Sequence, residues 1–206
     1  MRTETVGVTE TLIESAKKEF LEHGFQNANL RRISSESGVR TGSIYTRFGD
    51  KAGLFSAVVK PAADGLMELY LESITAARES GDPAEATSQG NEGTELVLKY
   101  IYENFDVFKL IFCHSAGTEY ERYFDELAEI EEKYYREFVK QFSRRENMVS
   151  DFFIHVICRT GWSYIYEVVS HDLSYDEAQI FMKSIREFCF AGWGKVLGQN
   201  YEDLGL

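Results

Sequence analysis

Asn29-Leu30-Arg31-Arg32-Ile33-Ser34-Ser35-Glu36-Ser37-Gly38-Val39-Arg40-Thr41-Gly42-Ser43-Ile44-Tyr45-Thr46-Arg47-Phe48-Gly49-Asp50-Lys51 holds two short helical signals on either side of a glycine turn. Asn29 is a good N-cap, because its side-chain oxygen can accept from an unpaired N–H of the first turn. A helix is therefore predicted from about Leu30 to Ser37, broken by Gly38. A second is predicted from Thr41 to Phe48, with Gly49-Asp50 as its stop and as the N-cap of whatever follows. Leu30, Ile33, Val39, Ile44 and Phe48 supply a small apolar seam, the last two one helical turn apart. Two short helices joined by such a turn make a helix-turn-helix.

The positions of the second helix that lie off this seam are small or polar. Gly42 and Ser43 leave its leading turn thin, which allows a backbone to approach base edges in a DNA groove. Arg47 is expected to project from the exposed side, where a bidentate contact to guanine discriminates bases by roughly 1–3 kcal/mol. The Tyr45 hydroxyl suits a phosphate oxygen. Lys51, in the first turn of the next helix, suits a second phosphate beside a helix N-terminus.

Outward from this block, periodicity near 3.6 dominates and the chain reads as all-α. Leu12, Ala16 and Phe20, with Ile13 and Leu21 beside them, mark a first helix from about Thr9 to Gly24. A long helix carrying Leu54, Phe55, Val58, Leu66, Leu69 and Tyr70 follows Lys51, with a kink or break expected at Pro61. Residues 80–93 are rich in turn formers and read as a loop. Further helices are predicted over about 94–114, 118–143, 149–170 and 174–197, the last two antiparallel across a tight connection at 172–176.

The formal net charge is -12 over 206 residues, which argues at first against a nucleic-acid partner. Its distribution argues otherwise. Residues 1–51 carry eight Lys/Arg against seven Asp/Glu, and residues 52–206 carry fourteen against twenty-seven. A locally basic strip on an acidic body lets one face meet phosphates while the rest is repelled. No apolar run approaches the roughly 20 residues of a membrane span, and no secretory signal opens the chain. Three scattered cysteines, Cys113, Cys158 and Cys189, suit reduced thiols in a cytoplasmic protein.

The block from Gly38-Val39 through Gly42-Ser43-Ile44-Tyr45 to Phe48-Gly49-Asp50-Lys51, with Phe20, Gly24 and Phe25 before it, resembles the DNA-binding head of the TetR family of repressors over about residues 8–56. The resemblance implies a three-helix head over residues 1–50 and a helical effector-binding and dimerisation body over residues 51–206. It places the family's recognition-helix tyrosine on Tyr45, its fourth-helix lysine on Lys51 and an early arginine of the second helix on Arg31. The DNA-facing set is then Asn29, Arg31, Arg40, Thr41, Gly42, Ser43, Tyr45, Thr46, Arg47 and Lys51. Arg40 departs from the Ser or Thr cap usual in the family, so the cap is expected to shift to Thr41 and Arg40 to reach DNA. Ser34 and Ser37 replace common alanines and are expected to loosen the packing. The implied function is a sequence-specific regulator, a repressor released from its operator by a small molecule. The alternative is a body that docks a protein partner.

A dimer follows from that mechanism, since two heads about 34–36 Å apart read a palindromic operator in double-stranded DNA. The stripes Phe153, Ile157, Gly161, Tyr164, Val168 and Phe181, Ile185, Phe188, Gly192 on the last two helices are candidates for the homodimer surface, with monomer core as the other reading. Tyr100, Phe105, Phe108, Phe112, Tyr134, Trp162 and Tyr166 are candidates to line the pocket of an unidentified small-molecule effector, since rings with a few polar tips suit an amphipathic ligand. Glu129, Glu131 and Glu132 read as a solvated helix face. Cys113-His114 and His155/Cys158 lack the companions a metal site needs, so no metal and no cofactor is expected. No nucleophile–base pair or phosphate loop points to an enzyme.

Overall fold

Every regular element in the computed structural model, which describes residues 7–79, 83–143 and 149–198, is helical. In chain order these are α1 (Val8–Asn27), α2 (Leu30–Ser37), α3 (Thr41–Phe48), α4 (Lys51–Glu79), α5 (Pro83–Glu103), α6 (Phe105–Cys113), α7 (Tyr123–Phe142), α8 (Asp151–Ser170) and α9 (Tyr175–Leu197), with a 3-10 turn at Glu119–Arg122 before α7. They divide into two units, Met1–Gly65 with Asn104–Tyr123, and Leu66–Glu103 with Phe124–Leu206. The expected head over residues 1–50 lies inside the first unit, which also takes in the start of α4 and all of α6.

The core of the first unit is aromatic. Phe20, Phe55, Leu12, Ile33, Ile44 and Leu54 are fully buried. Phe20 and Phe55 meet edge to face at 5.0 Å, and Phe25 meets Phe55 at 5.4 Å. Each such ring contributes roughly 1.5–3 kcal/mol by burial and edge-to-face contact adds to it. α6 joins this core through Phe108, Leu110 and Ile111, all buried. The carbonyl of His114, just past α6, accepts from the Phe25 N–H at 3.0 Å, and Lys17 pairs with Asp106 at 2.8 Å.

The second unit packs α8 against α9 antiparallel, as expected. Phe153, early in α8, meets Trp193, late in α9, at 5.6 Å, and Tyr164 meets Phe181 at 6.2 Å nearer the connection. That connection is pinned by the Tyr102 hydroxyl, which donates to the Leu173 carbonyl at 2.9 Å. A capping box then opens α9: the Ser174 hydroxyl accepts from the Glu177 N–H, and the Glu177 carboxylate accepts from the Ser174 N–H at 2.9 Å.

Several boundaries differ from the sequence reading, each for a physical reason. α1 does not stop at Gly24: that residue turns to φ 69° and the helix resumes to Asn27, with Ala28 N–H bonded to the Gly24 carbonyl. α4 runs through Pro61 unbroken, because Val58, Val59, Ala62 and Ala63 around the proline are all buried and hold the helix by packing. Residues 80–82 of the expected loop lie outside the described residues, but Pro83–Gly93 is helix. Proline at a first helical position sacrifices no hydrogen bond. Gly93 is a packing residue, since a Cβ there would sit 2.9 Å from Ser73 Cβ. The helix expected over 94–114 is divided at Asn104, whose carbonyl accepts from Val107 and Phe108 to start α6.

The acidic run on α7 is not one solvated face. Glu129 is exposed, whereas Glu132 is only 6% exposed. Its carboxylate accepts from Arg136 at 3.0 Å and lies 2.7 Å from His155 Nδ1. These positions share the inward side with Leu127 and Ala128, both fully buried, so helical spacing turns Glu131 and Glu132 toward the interior.

Candidate nucleic-acid interface

The two helices of the motif are set by a buried carboxylate in α1. Glu19 is 5% exposed and accepts from the backbone N–H of Asn29 at 2.7 Å and from Arg32 Nε at 2.9 Å. Arg32 also donates to the Asn27 carbonyl at 3.1 Å. Burial pushes the Glu19 carboxyl up, but the Arg32 hydrogen bond, the Asn29 N–H and the neighbouring positive charges outweigh it and hold the pKa below the usual carboxylate value. Asn29 is the cap, its side chain accepting from Arg31 N–H at 2.8 Å.

Ser34 and Ser37 do not loosen the turn; they brace it. Ser34 Oγ donates to the Val39 carbonyl at 2.6 Å, Ser37 Oγ donates to the Ile33 carbonyl at 2.7 Å, and Ser37 Oγ accepts from Val39 N–H at 3.2 Å. Alanine at either position would leave those turn groups to solvent. Gly38 between them sits at φ 68°, a left-handed conformation that costs an L side chain about 1 kcal/mol or more.

The cap of α3 does not shift to Thr41. Arg40 occupies it in extended conformation with no side-chain cap bond, and its carbonyl accepts from Ser43 N–H at 2.8 Å. The Arg40 side chain is exposed and makes no hydrogen bond or ion pair among the described residues, as is true of Arg31. Of the seam, Ile33 and Ile44 are fully buried, while Leu30, Val39 and Phe48 are half-buried. Tyr45 is 54% exposed. Gly42 and Thr46 are exposed beside it, with Thr41 and Ser43 half-buried. The Thr46 hydroxyl is turned back to the Gly42 carbonyl at 2.8 Å.

Two cations have partners that sequence spacing did not indicate. Arg47 is half-buried and donates from Nε to Thr9 Oγ1 at 3.2 Å, tying α3 to the start of α1. Lys51 Nζ donates to the carbonyls of Gln26 and Ala28 at 3.0 and 3.2 Å and lies 4.7 Å above the Phe25 ring. It thereby caps the open carbonyl end of α1. Asn27, Ala28, Asn29, Leu30, Arg31, Thr41, Tyr45 and Lys51 line an open groove of about 590 Å³. A phenol, a guanidinium, an ammonium and the N-terminus of α2 thus converge on one concavity, an arrangement suited to a phosphate oxygen. Gly53 is a position the sequence reading missed: a Cβ there would fall 1.9 Å from the Phe48 carbonyl oxygen, so it permits α4 to start against the end of α3.

The other candidates divide between the units. Phe105, Phe108 and Phe112 lie on α6 in the first unit, and Tyr100, Tyr134, Trp162 and Tyr166 in the second. Phe108 is fully buried and Trp162 is 5% exposed. On α8 and α9, Val168 is 1% exposed and belongs to the core. Phe153, Ile157, Gly161, Tyr164, Phe181 and Ile185 are half-buried, and Gly192 is exposed. The large apolar side chains most open on these helices are Phe152, Ile180 and Phe188, at 74%, 70% and 72% exposure. Among the described residues no three metal-ligating side chains come together, and no helix is long and apolar enough to cross a membrane.

Residues 12–58 match the family described as bacterial regulatory proteins, tetR family. The chain is 36% identical over 62 residues to the HTH-type transcriptional repressor AcnR of Corynebacterium glutamicum, covering 30% of this chain and 33% of that protein. It is 34% identical over 68 residues to the AcnR of Corynebacterium efficiens, covering 33% and 36%. The chain thus matches about a third of the length of these curated relatives. The fold resembles the ketosteroid transcriptional regulator KstR2 of Mycobacterium tuberculosis, with a TM-score of 0.63, 14% identity and coverage of 89% and 95%. It also resembles the TetR-family regulator PfmR of Thermus thermophilus, with a TM-score of 0.62, 19% identity and coverage of 91% and 97%. A third similar structure is FadR of Bacillus subtilis in complex with stearoyl-CoA, with a TM-score of 0.58, 14% identity and coverage of 86% and 95%. The helix-turn-helix braced by Glu19, Ser34 and Ser37 thus lies within the stretch that matches the N-terminal domain of the tetR family of bacterial regulatory proteins, and the chain as a whole shares the fold of regulators of that family.

Proposed function

We propose that this protein is a cytoplasmic transcriptional repressor that binds a palindromic operator as a homodimer and is released by a small molecule bound in its helical body. The observation that carries the DNA reading is the groove beside α2, where the exposed Tyr45 ring, Arg31 and the N-terminus of α2 face a space open to a phosphate. Arg40 and the thin leading turn at Gly42 and Ser43 stand beside it for base edges. Lys51 contributes through the α1 carbonyls it caps as well as through its charge. The apolar side chains open on α8 and α9 support a dimer made by those two helices. For the effector, support comes from the aromatic interior of the second unit and from FadR, a neighbour in fold whose structure holds stearoyl-CoA.

The test is a fluorescence-anisotropy titration of the full-length protein on the DNA immediately upstream of its own gene. Tyr45→Ala combined with Arg31→Ala should weaken binding to every sequence tried by at least about tenfold and flatten its salt dependence, because phosphate contacts release counterions. Unchanged affinity and salt slope in a double variant that melts like the parent would sink the assignment. Release of the parent protein from that DNA by a member of a metabolite panel tests the effector arm; release only by a protein partner would replace it.

A further inference from the structure

The fold separates three sides of α3. Ile44 is fully buried and marks the side that faces the core. At about 100° per residue, Gly42 and Thr46 lie opposite it, Tyr45 lies on one flank, and Ser43 and Arg47 lie on the other. Exposure agrees: Gly42 and Thr46 are exposed, whereas Ser43 and Arg47 are half-buried. The Tyr45 flank borders the surface groove that Arg31 and Lys51 also line. The Arg47 flank borders the start of α1, where Arg47 Nε donates to Thr9 Oγ1 at 3.2 Å. This bond differs in kind from that of Arg32, whose guanidinium is paired with the buried Glu19 carboxylate at 2.9 and 3.0 Å and is committed to the fold. Arg47 makes no other hydrogen bond and no ion pair among the described residues. Thr9 is a neutral acceptor, so its hydroxyl fixes the guanidinium without cancelling the charge. With Nε engaged, the donors left are those of Nη1 and Nη2, the end of the fork that meets two oxygens of one phosphate side by side.

We propose that Thr9 and Arg47 form a phosphate clamp for operator DNA on the flank of α3 opposite Tyr45, with Arg47 as the contacting group and Thr9 as the residue that positions it. The inference rests on the reading of the head as DNA-binding and deepens it, assigning Arg47 to the DNA backbone and adding Thr9 from α1. A helix with its side chains is about 10–12 Å across, and the major groove is about 12 Å wide. A helix seated there turns its outermost ridge to the base edges and its two flanks to the two sugar–phosphate strands. The ridge of α3 is Gly42 and Thr46, and the flanks carry Tyr45 and Arg47. Arg47 therefore meets the strand across the groove from the one that Tyr45 meets. This contact replaces the guanine contact expected from the sequence, for two reasons. Arg47 leaves the helix only about 60° from Ile44, on the core side of its flank, and its Nε is held back at α1. An arginine already held in place loses little freedom when the DNA arrives, which is how a residue that never touches DNA contributes to binding it.

In the experiment, the full-length parent selects duplexes from a random-sequence pool. The selected duplex is then titrated by fluorescence anisotropy with each phosphate replaced in turn by a neutral methylphosphonate. The parent should be sensitive on both strands of each half-site. One of those phosphates should cost it at least about tenfold in affinity and cost Arg47→Ala nothing, while the phosphate to which Tyr45→Ala is insensitive should lie on the other strand. Arg47→Ala should also lower the slope of log affinity against log salt by about one per head, with the parent's preference kept at every base pair. Thr9→Val should weaken binding about two- to tenfold and shrink the response to the Arg47 phosphate, whereas Thr9→Ser, which keeps the hydroxyl, should match the parent. Added to Arg47→Ala, Thr9→Val should change nothing further. Parent sensitivity confined to one strand overturns the clamp, as does an Arg47→Ala variant that loses its preference at one base pair with the salt slope unaltered. A Thr9→Val variant with the parent's phosphate profile, or a Thr9→Ser variant as weak as Thr9→Val, overturns it as well. If the parent enriches no sequence, the DNA reading itself fails and the clamp falls with it. If it enriches one and only the Tyr45 and Arg31 variants alter the phosphate profile, the DNA reading stands and the clamp alone falls.

Discussion

Glu19 fixes the position of α2 while lying on the buried side of α1, between Ala16 and Phe20. Replacing it with glutamine keeps an acceptor for the Asn29 N–H but removes the ion pair to Arg32. The expected loss is about 1–3 kcal/mol of folding stability, read from the urea midpoint. Because its folded pKa is lowered, the parent carries this stabilisation above the ordinary carboxylate pKa and loses it as pH falls through the depressed folded value. Glu19→Gln should therefore show a flatter stability profile on the acid side, and an unchanged slope would contradict the assignment. The sequence held a signal for this residue, a lone charge at position 19 on the stripe of Leu12, Ala16 and Phe20. It held none for the partners of Lys51 and Arg47, which lie 25 and 38 residues away in the chain. Spacing along a helix says which face a side chain occupies and is silent about what the fold brings to that face.

α2 and α3 were legible to the residue because their limits are written locally, in an Asn cap, a left-handed glycine and an Asp cap whose carboxylate accepts from Gly53 N–H at 2.8 Å. The start of α5 and the division at Asn104 were not, because turn-forming composition and unbroken periodicity each suggest the wrong answer until tertiary packing chooses. The join between α3 and α4 is the element most sensitive to a single methyl group. In Gly53→Ala the new Cβ meets backbone and not a yielding side chain, so α3 or α4 must shift. The expected result is a loss of about 1–3 kcal/mol, with weaker operator binding than that loss alone explains. Parent-like DNA affinity in this variant would show that the recognition helix tolerates displacement. Ser34 and Ser37 make the complementary point, since what read as loosened packing proved to be a set of bonds across the turn.

Phe152, Ile180 and Phe188 are the most open large apolar side chains on α8 and α9, and Phe188 is the one through which the proposed dimer is tested. If the proposed homodimer closes through α8 and α9, Phe188→Glu should shift the protein toward monomer in sedimentation velocity and weaken operator binding at least about tenfold, since the second head no longer benefits from the first; a variant with the parent's association state would remove Phe188 from the interface. The charge asymmetry and the aromatic excess of the body were plain in the sequence, but the turning of Glu131 and Glu132 inward was not, because an acidic residue on an amphipathic helix reads as solvated until its neighbours are known. The first unit also returns to the chain a second time, at Asn104–Tyr123. There Phe25 N–H reaches the His114 carbonyl, Lys17 reaches Asp106, and Tyr120 packs against Phe55 at 6.1 Å. The operator specificity proposed for it is accordingly not a cassette that can be cut after α3 and grafted. A chimera exchanging residues 1–50 alone should assemble poorly, whereas one exchanging residues 1–65 together with 104–123 should carry its DNA preference intact to a foreign body.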